Sequence, residues 1–387
     1  MRVLHCCLAA FYNEGYGYQE NILPRMHKKQ GHDVKIIAST ETFVDNMNLG
    51  YVSPVRFNNE DDIPVVRIPY ISILPFKVAS KLRIYVGLEA ELLTFAPDVI
   101  FLHDAQFLSI TTIIKYLKAN RKVRVYVDGH TDFGNSATTF LSKYILHGVI
   151  YKWCIKRIEP FVTKFYGTLP ARVDFFTDFY KTPKSKTELL VLGADDDCVK
   201  RAKDDGSRFR IRVDNCVSDK TLLIVTGGKF DERKISILYL MKAVHRLRSS
   251  YDVKLLIFGS VMGGSFKEAF DELCDGDVVK YVGWINSNLT YNYFDAADLI
   301  VFTGSHSVLW EQAVGQGKPC VFNSYMHQKH IDLGGNCKFL HNVSEEDIVC
   351  VVTEAIKDYE MMKNAAESKG IPYFSYNSIA ERAIAAK

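Results

Sequence analysis

Apolar positions in this chain gather into short runs rich in Val, Ile and Leu, and the runs recur from end to end between stretches of helix length. In the first half the runs RVLHCC, VKIIAS, VVRIPY, DVIFLH and VRVYVDG read as strands, separated by amphipathic segments such as ENILPRMHKKQG and SITTIIKYLKAN. Strands that are apolar on both faces and alternate with helices predict a parallel sheet covered on both sides. From residue 221 the pattern restarts with TLLIVTGG, KLLIFGS, VVKYVGW, DLIVFTG, PCVFNS and CKFLH. The predicted class is α/β, with two tandem Rossmann-like, doubly wound domains.

Between the two series, KTPKSKTELLVLGADDDCVKRAKDDGSRFR is charged and broken by Pro and Gly, which places the crossover near residue 195. The expected domains are 1–194 and 195–372, and Asp195, Asp196 and Asp197 read as linker rather than as a metal-binding triplet. The last segment, 373–387, ends in a helical pattern and is either an extra helix of the second domain or a return to the first. Ligands of open α/β sheets bind outside the carboxyl ends of the strands. Two such domains facing each other would leave a cleft, so function is sought in the loops after strands.

Length and composition narrow the class. The 387 residues suit two domains, and 48% hydrophobic with 24% charged residues is a soluble globular balance. No apolar run approaches the roughly 18 residues of a membrane span, and the opening residues lack a signal-peptide pattern, so the expected location is cytoplasmic. Nine cysteines, an odd number without CxxC pairs, suit reduced core thiols, and neither a metal site nor a cofactor is expected. Residues 1–193 carry 24 Lys and Arg against 18 Asp and Glu, whereas the remainder carries 24 against 27. The first half is thus the better candidate for an acidic partner or a membrane surface, at the inner face of the membrane, and no nucleic-acid partner is expected.

Four loops carry candidate chemistry. In FYNEGYGYQENI, Gly15 and Gly17 allow close backbone approach before a helix whose N-terminus favours an anion, although Glu20 stands where GxGxxG needs its third glycine. In VTGGKFDERKISILYL, Gly228 is followed by Lys229, Arg233 and Lys234. Three cations beside a helix N-terminus oppose its dipole, a local conflict that suits diphosphate binding. In TGSHSVLWEQAVGQGKP, a helix from Ser307 to Gln316, stopped by Gly317 and Pro319, puts Ser307 and Glu311 on one face. An anion at the N–H groups near His306, Ser307 and Val308 would set a ribose beside Glu311, whose carboxylate accepts hydroxyl hydrogen bonds. In VYVDGHTDFGNS, His130 sits where a loop would meet a substrate hydroxyl, and His103 and Asp104 hold the equivalent place one strand earlier.

Together these loops resemble the GT-B glycosyltransferases, most of all glycosyltransferase family 4, in order along nearly the whole chain. The family's Gly-Gly-x-Glu turn is matched by Gly17-Tyr18-Gln19-Glu20, and its GHxV by Gly31-His32-Asp33-Val34. Its domain-one histidine falls on His130, and the Arg and Lys of its phosphate motif fall on Lys229 and Lys234. The second glutamate of its Glu-x7-Glu motif falls on Glu311, and the tail FSYNSIAERAI resembles a closing helix that crosses back to domain one. Three departures stand out: Thr303 replaces the first glutamate, Lys229 the arginine, and Tyr18 the second glycine.

The resemblance implies a retaining glycosyltransferase, hexosyl or N-acetylhexosaminyl, that takes a nucleotide-sugar donor and a glycan or lipid-linked acceptor in surface polysaccharide or glycoconjugate assembly. It assigns His130, Lys229 and Lys234 to catalysis. Donor contacts fall on Gly15, Gly17, Gly228, Arg233, Thr303, His306, Ser307, Val308 and Glu311. The alternatives are a sugar-nucleotide 2-epimerase of the same fold and a non-catalytic sugar-nucleotide-binding partner. Aromatic and basic residues in YILHGVIYKWCIKRIEPFVTKF could touch a membrane, with a core helix and a solvated basic edge as the simpler reading.

Overall fold

The computed structural model describes residues 1–387 apart from 45–47, 135, 137–138, 325–328 and 386–387, and leaves out the side chain of Arg233. The chain forms two compact units, Met1–Val191 with Ile379–Lys387, and Leu192–Ser378. The division falls at 192, against an expected 195, and the chain returns to the first unit at 379, within the helix Tyr376–Ala383, against an expected 373.

In the first unit, β1 (Arg2–Cys7) and β2 (Asp33–Ser39) precede a separate antiparallel ribbon, β3 (Glu41–Phe43) with β4 (Leu49–Tyr51). There follow β5 (Val55–Asn58), β6 (Pro64–Ile68), β7 (Val99–His103), β8 (Arg124–Gly129), β9 (Val162–Gly167) and β10 (Thr187–Leu189). One sheet takes the order β10-β9-β8-β7-β1-β2-β6-β5, parallel except where β5 pairs with β6. Five of these strands are the apolar runs of the sequence. β1 and β7 are buried along almost their whole length because helices cover both faces, which is why they read as continuous runs.

The second unit contains β11 (Leu222–Phe230), β12 (Val253–Val261), β13 (Val279–Gly283), β14 (Leu299–Phe302), β15 (Cys320–Asn323) and β16 (Cys337–Leu340). Its sheet is parallel throughout, in the order β13-β12-β11-β14-β15-β16. Counted within the unit this is 3-2-1-4-5-6, the dinucleotide-type order, whose direction of winding reverses between β11 and β14. In the first unit the same reversal falls between β1 and β7. A ligand site is therefore expected beyond the carboxyl ends of these two strand pairs.

The stretch read as linker is structured. Asp195 caps the helix Asp196–Asp204 by accepting from the N–H groups of Asp197 and Cys198, at 3.1 and 3.5 Å. Asp196 accepts from Ser375 Oγ at 2.6 Å and from the Asn377 N–H at 2.8 Å. The acidic triplet is thus a helix start and a tether for the end of the chain, since carboxylates at a helix N-terminus satisfy its free N–H groups. No helix among the described residues is long and apolar enough to cross a membrane.

Candidate functional site

In the second unit, a pocket of about 200 Å³ opens where β11 and β14 end, lined by Gly227, Gly228, Lys229, Lys234, Thr303, Ser307 and Trp310 among others. Its floor depends on glycine. A Cβ on Gly227 would stand 2.1 Å from the Phe258 ring, and one on Gly259 would stand 1.8 Å from the Gly228 carbonyl oxygen. β11 and β12 meet closely here because neither glycine has a side chain.

Lys229 is exposed and Lys234 is half-buried against the pocket. Burial lowers the Lys234 pKa, with Lys229 adding to the shift against the opposing charge of Asp231. Two ammonium groups that disfavour each other beside glycine backbone have the chemistry that suits a multiply charged anion. The Arg233 side chain lies outside the described residues.

The helix expected from Ser307 begins at Leu309 and runs to Gly315, and Ser307 Oγ, just before it, accepts from the Leu309 N–H at 3.3 Å. Glu311, one turn in, is fully buried and stands outside the pocket lining. His306 Nε2 and His330 Nε2 donate to the same oxygen, Oε1, at 2.7 and 2.8 Å. Oε2 has no hydrogen-bond partner among the described residues. Burial opposes ionisation of Glu311, but His306, with help from His330, holds its pKa down to about 2.

The ligand-type atoms of His306, Glu311 and His330 lie within 4.8 Å of one another. Hydrogen bonds account for both contacts. Moreover, His330 Nδ1 has no partner among the described residues, where a metal-bound imidazole normally donates from its second nitrogen.

Of the expected donor contacts, Gly228, Thr303 and Ser307 therefore share one pocket with the expected catalytic residues Lys229 and Lys234, while His306, Val308 and Glu311 lie outside its lining. Trp310 and His330 were not singled out from sequence. Trp310 reads as an ordinary core residue of an amphipathic helix, and His330 reaches Glu311 from 19 residues away without any local pattern.

The first unit has its own pocket, of about 610 Å³, beyond the ends of β1, β7 and β8. Its lining includes Asn13, Tyr18, Glu20, Arg83, Asp104, His130 and Thr131, while Gly15 and Gly17 lie outside the lining. Gly15 takes φ +75°, and its N–H donates to Glu60 Oε1 at 3.2 Å. His130 Nε2 lies 3.5 Å from Asp128 Oδ2 and 3.9 Å from Glu20 Oε1. Burial works against the imidazolium, yet Asp128 and then Glu20 outweigh it and raise the His130 pKa. Asp104 is pushed up to about 6, chiefly by burial and in part by Asp128, against the pull of Arg83. The pocket thus presents a histidine that favours its proton beside a carboxyl group that titrates near neutrality, a lining suited to hydroxyl groups.

No protein-family model matches the chain, and no curated protein matches it by sequence. Its fold does match solved structures. A glycosyltransferase from Rickettsia africae aligns with TM-score 0.66 at 13% identity, covering 98% of this chain and 96% of the other. Anabaena HepE in complex with UDP and glucose aligns at 0.60 and 13% identity, covering 98% and 97%. The UDP-GlcNAc 2-epimerase of Neisseria meningitidis bound to UDP-GlcNAc aligns at 0.60 and 10% identity, covering 99% and 98%. The chain has the GT-B fold, of two Rossmann-like units. Transferases and epimerases both use this fold, so the choice between them rests on the site.

Proposed function

We propose that this protein is a nucleotide-sugar-dependent glycosyltransferase, moving a hexosyl or N-acetylhexosaminyl unit onto a glycan or lipid-linked acceptor. The observation that carries the reading is the second-unit pocket, where Lys229 and Lys234 stand over a glycine floor at the reversal of strand order. Charge accumulates on a departing nucleoside diphosphate during transfer, and preorganised cations stabilise that state more than the ground state. The lysines would do this without a metal, Ser307 would add a hydroxyl contact, and Glu311 would reach the ribose through Oε2 once the ligand draws the loop 304–308 aside. His130, in the first-unit pocket, would contact the sugar or the acceptor hydroxyl. Retention of configuration and a place in surface polysaccharide or glycoconjugate assembly rest on the family resemblance.

A lipid-linked acceptor is supported by the segment from Leu141 to Ile158. Leu141, Ile145, Val149 and Trp153 recur every four residues and are exposed, with Phe140 and Tyr144 beside them. The sequence 139–158 contains Lys143, Lys152, Lys156 and Arg157 and no Asp or Glu. An apolar stripe flanked by cations suits the headgroup region of an anionic bilayer. Co-flotation with phosphatidylglycerol vesicles should be lost in Leu141→Glu/Val149→Glu, and absence of flotation by the unaltered protein would refute this surface.

The epimerase is the second reading, favoured by the aligned 2-epimerase. The two separate in an assay of donor turnover with and without acceptor extract. A transferase releases nucleotide mainly when acceptor is present, whereas an epimerase consumes donor without it and yields an epimerised sugar.

A further inference from the structure

Behind the first-unit pocket three histidines form a continuous chain. His103 Nδ1 lies 3.0 Å from Asp128 Oδ2, and His103 Nε2 lies 3.0 Å from His5 Nδ1. His5 Nε2 lies 2.9 Å from His27 Nδ1, and His27 Nε2 lies 2.9 Å from the carbonyl oxygen of Ala380 in the closing helix. All three rings and Asp128 are fully buried. Every ring nitrogen is therefore engaged, and water cannot substitute for a missing partner.

Counting protons decides the charge of this chain. Both ends are acceptors, a carboxylate and a peptide carbonyl, so the four contacts need four N–H hydrogens. Three neutral imidazoles supply three, and a change of tautomer only moves the deficit along the chain. A fourth proton completes it.

Its place follows from the surroundings. The titratable groups coupled to the rings are Asp128 at one end and His32, whose ring lies 6.0 Å from that of His27, at the other. Glu20 and Asp104 act on the chain through His130 and Asp128. Burial, then His27 and His103, keeps the His5 pKa well below its usual value, and burial lowers that of His27 to about 4. Only His103 touches a carboxylate, and an imidazolium in a dry interior is stable only against such a partner. With His103 donating from both nitrogens, His5 and His27 each accept at Nδ1 and donate from Nε2, and all four contacts are satisfied in one direction.

We propose that His103 carries the extra proton of this chain, fixes Asp128 as a carboxylate, and with His5 and His27 acts as a positioning residue for His130. Asp128 is the hub: Oδ2 also accepts from Gln19 Nε2 at 3.2 Å and faces His130, while Oδ1 accepts from the Asp104 N–H at 3.1 Å. The role toward His130 rests on the glycosyltransferase reading of the pocket, whereas the proton count does not.

Long-range nitrogen–proton NMR of the imidazoles in the full chain at pH 7.5 tests the count. The expected result is a doubly protonated His103, with His5 and His27 neutral and protonated at Nε2. A singly protonated His103, or an Nδ1–H on His5 or His27, would overturn it. His27→Leu removes two contacts and one ring, leaving two contacts that two neutral rings can satisfy, so His103 should fall to one proton. His27→Gln can accept from His5 and donate to Ala380, and should restore the second. If His27→Leu does not fold, His5→Phe, which leaves His103 only Asp128 to serve, takes its place, and a His103 still doubly protonated there would count against the proposal. For the positioning role, His27→Leu should lower donor turnover about tenfold and displace its pH profile, and His27→Gln should restore both. An unchanged profile in a folded His27→Leu variant would remove that role. Absence of turnover in the unaltered protein would instead count against the glycosyltransferase reading and leave the NMR result standing.

Discussion

Both units place a pocket where the strand order reverses, between β1 and β7 in the first and between β11 and β14 in the second, yet the two linings differ in their charged groups. The first pocket mixes the carboxyl groups of Glu20, Glu41 and Asp104 with Lys81, Arg83, His130 and His147, whereas the second has Lys229 and Lys234 beside glycine and no carboxyl group among the described residues of its lining. Both units also clamp a buried carboxylate with histidine. Asp128 stands between His103 and the pocket-lining His130, and is shared by both. Glu311 instead receives two histidines on one oxygen and presents no atom to its pocket. One topology thus supplies two pockets, and the residues after the strands set the different lining of each; the proposed function assigns phosphates to the second and hydroxyls to the first.

Substitutions can break this contrast in decreasing order of effect. Lys234→Ala should reduce donor turnover by about 100- to 1,000-fold, since it removes a cation aimed at developing charge, while the unfolding midpoint stays within about 2 °C. Steady-state kinetics beside a melting curve checks both parts, and retained turnover in the folded variant would make the second pocket something other than a diphosphate site.

Glu311→Gln should destabilise the fold by about 2 to 3 kcal/mol at neutral pH, because it removes a buried charge that two histidines face. The folded pKa of about 2 lies below the ordinary 4.5, so the stabilisation is present above pH 4.5 and is lost as the pH falls toward 2. Urea titrations across that window should show a steeper acid loss for the unaltered protein than for Glu311→Gln, and parallel curves would mean that Glu311 is not ionised in the fold.

The smallest effect sharpens the contrast instead. His130→Asn should lower turnover by about ten- to 100-fold and leave donor affinity within about twofold, because the proposed function places the diphosphate in the second pocket. Calorimetric titration of the donor into this variant would contradict the division of labour if affinity fell in step with turnover.

The parts of the fold that sequence exposed are those where burial on both faces makes a strand continuously apolar, as in DVIFLH and TLLIVTGG. The strands it missed lack that signature. β5 is an edge strand with exposed positions, β10 has three residues, and VTKFYG in β9 carries a lysine that bonds Glu188 at 2.8 Å. The acidic triplet at 195–197 was misread because a capping role depends on a helix that its own charged composition disguises. At the site, Lys229 and Lys234 were legible as cations that conflict with a helix start. The surroundings of Glu311 were not, because His330 comes from a different loop and burial removes the carboxylate from the face its spacing suggests. The histidine chain was equally invisible, since its three rings come from three elements: His5 and His27 look in sequence like isolated core residues, and His103 was read as a strand-end candidate facing substrate rather than as a partner of either.

The central claim is that the lysine pocket of the second unit receives the diphosphate of a sugar nucleotide. Thermal shift against UDP-, GDP- and ADP-sugars, run on the unaltered protein and on Lys234→Ala, tests it most directly, because a ligand bound only by the folded state raises the melting temperature by mass action. The account predicts that at least one sugar nucleotide raises the midpoint of the unaltered protein and leaves that of Lys234→Ala unmoved. No shift with any of them, or an equal shift in both proteins, would contradict it.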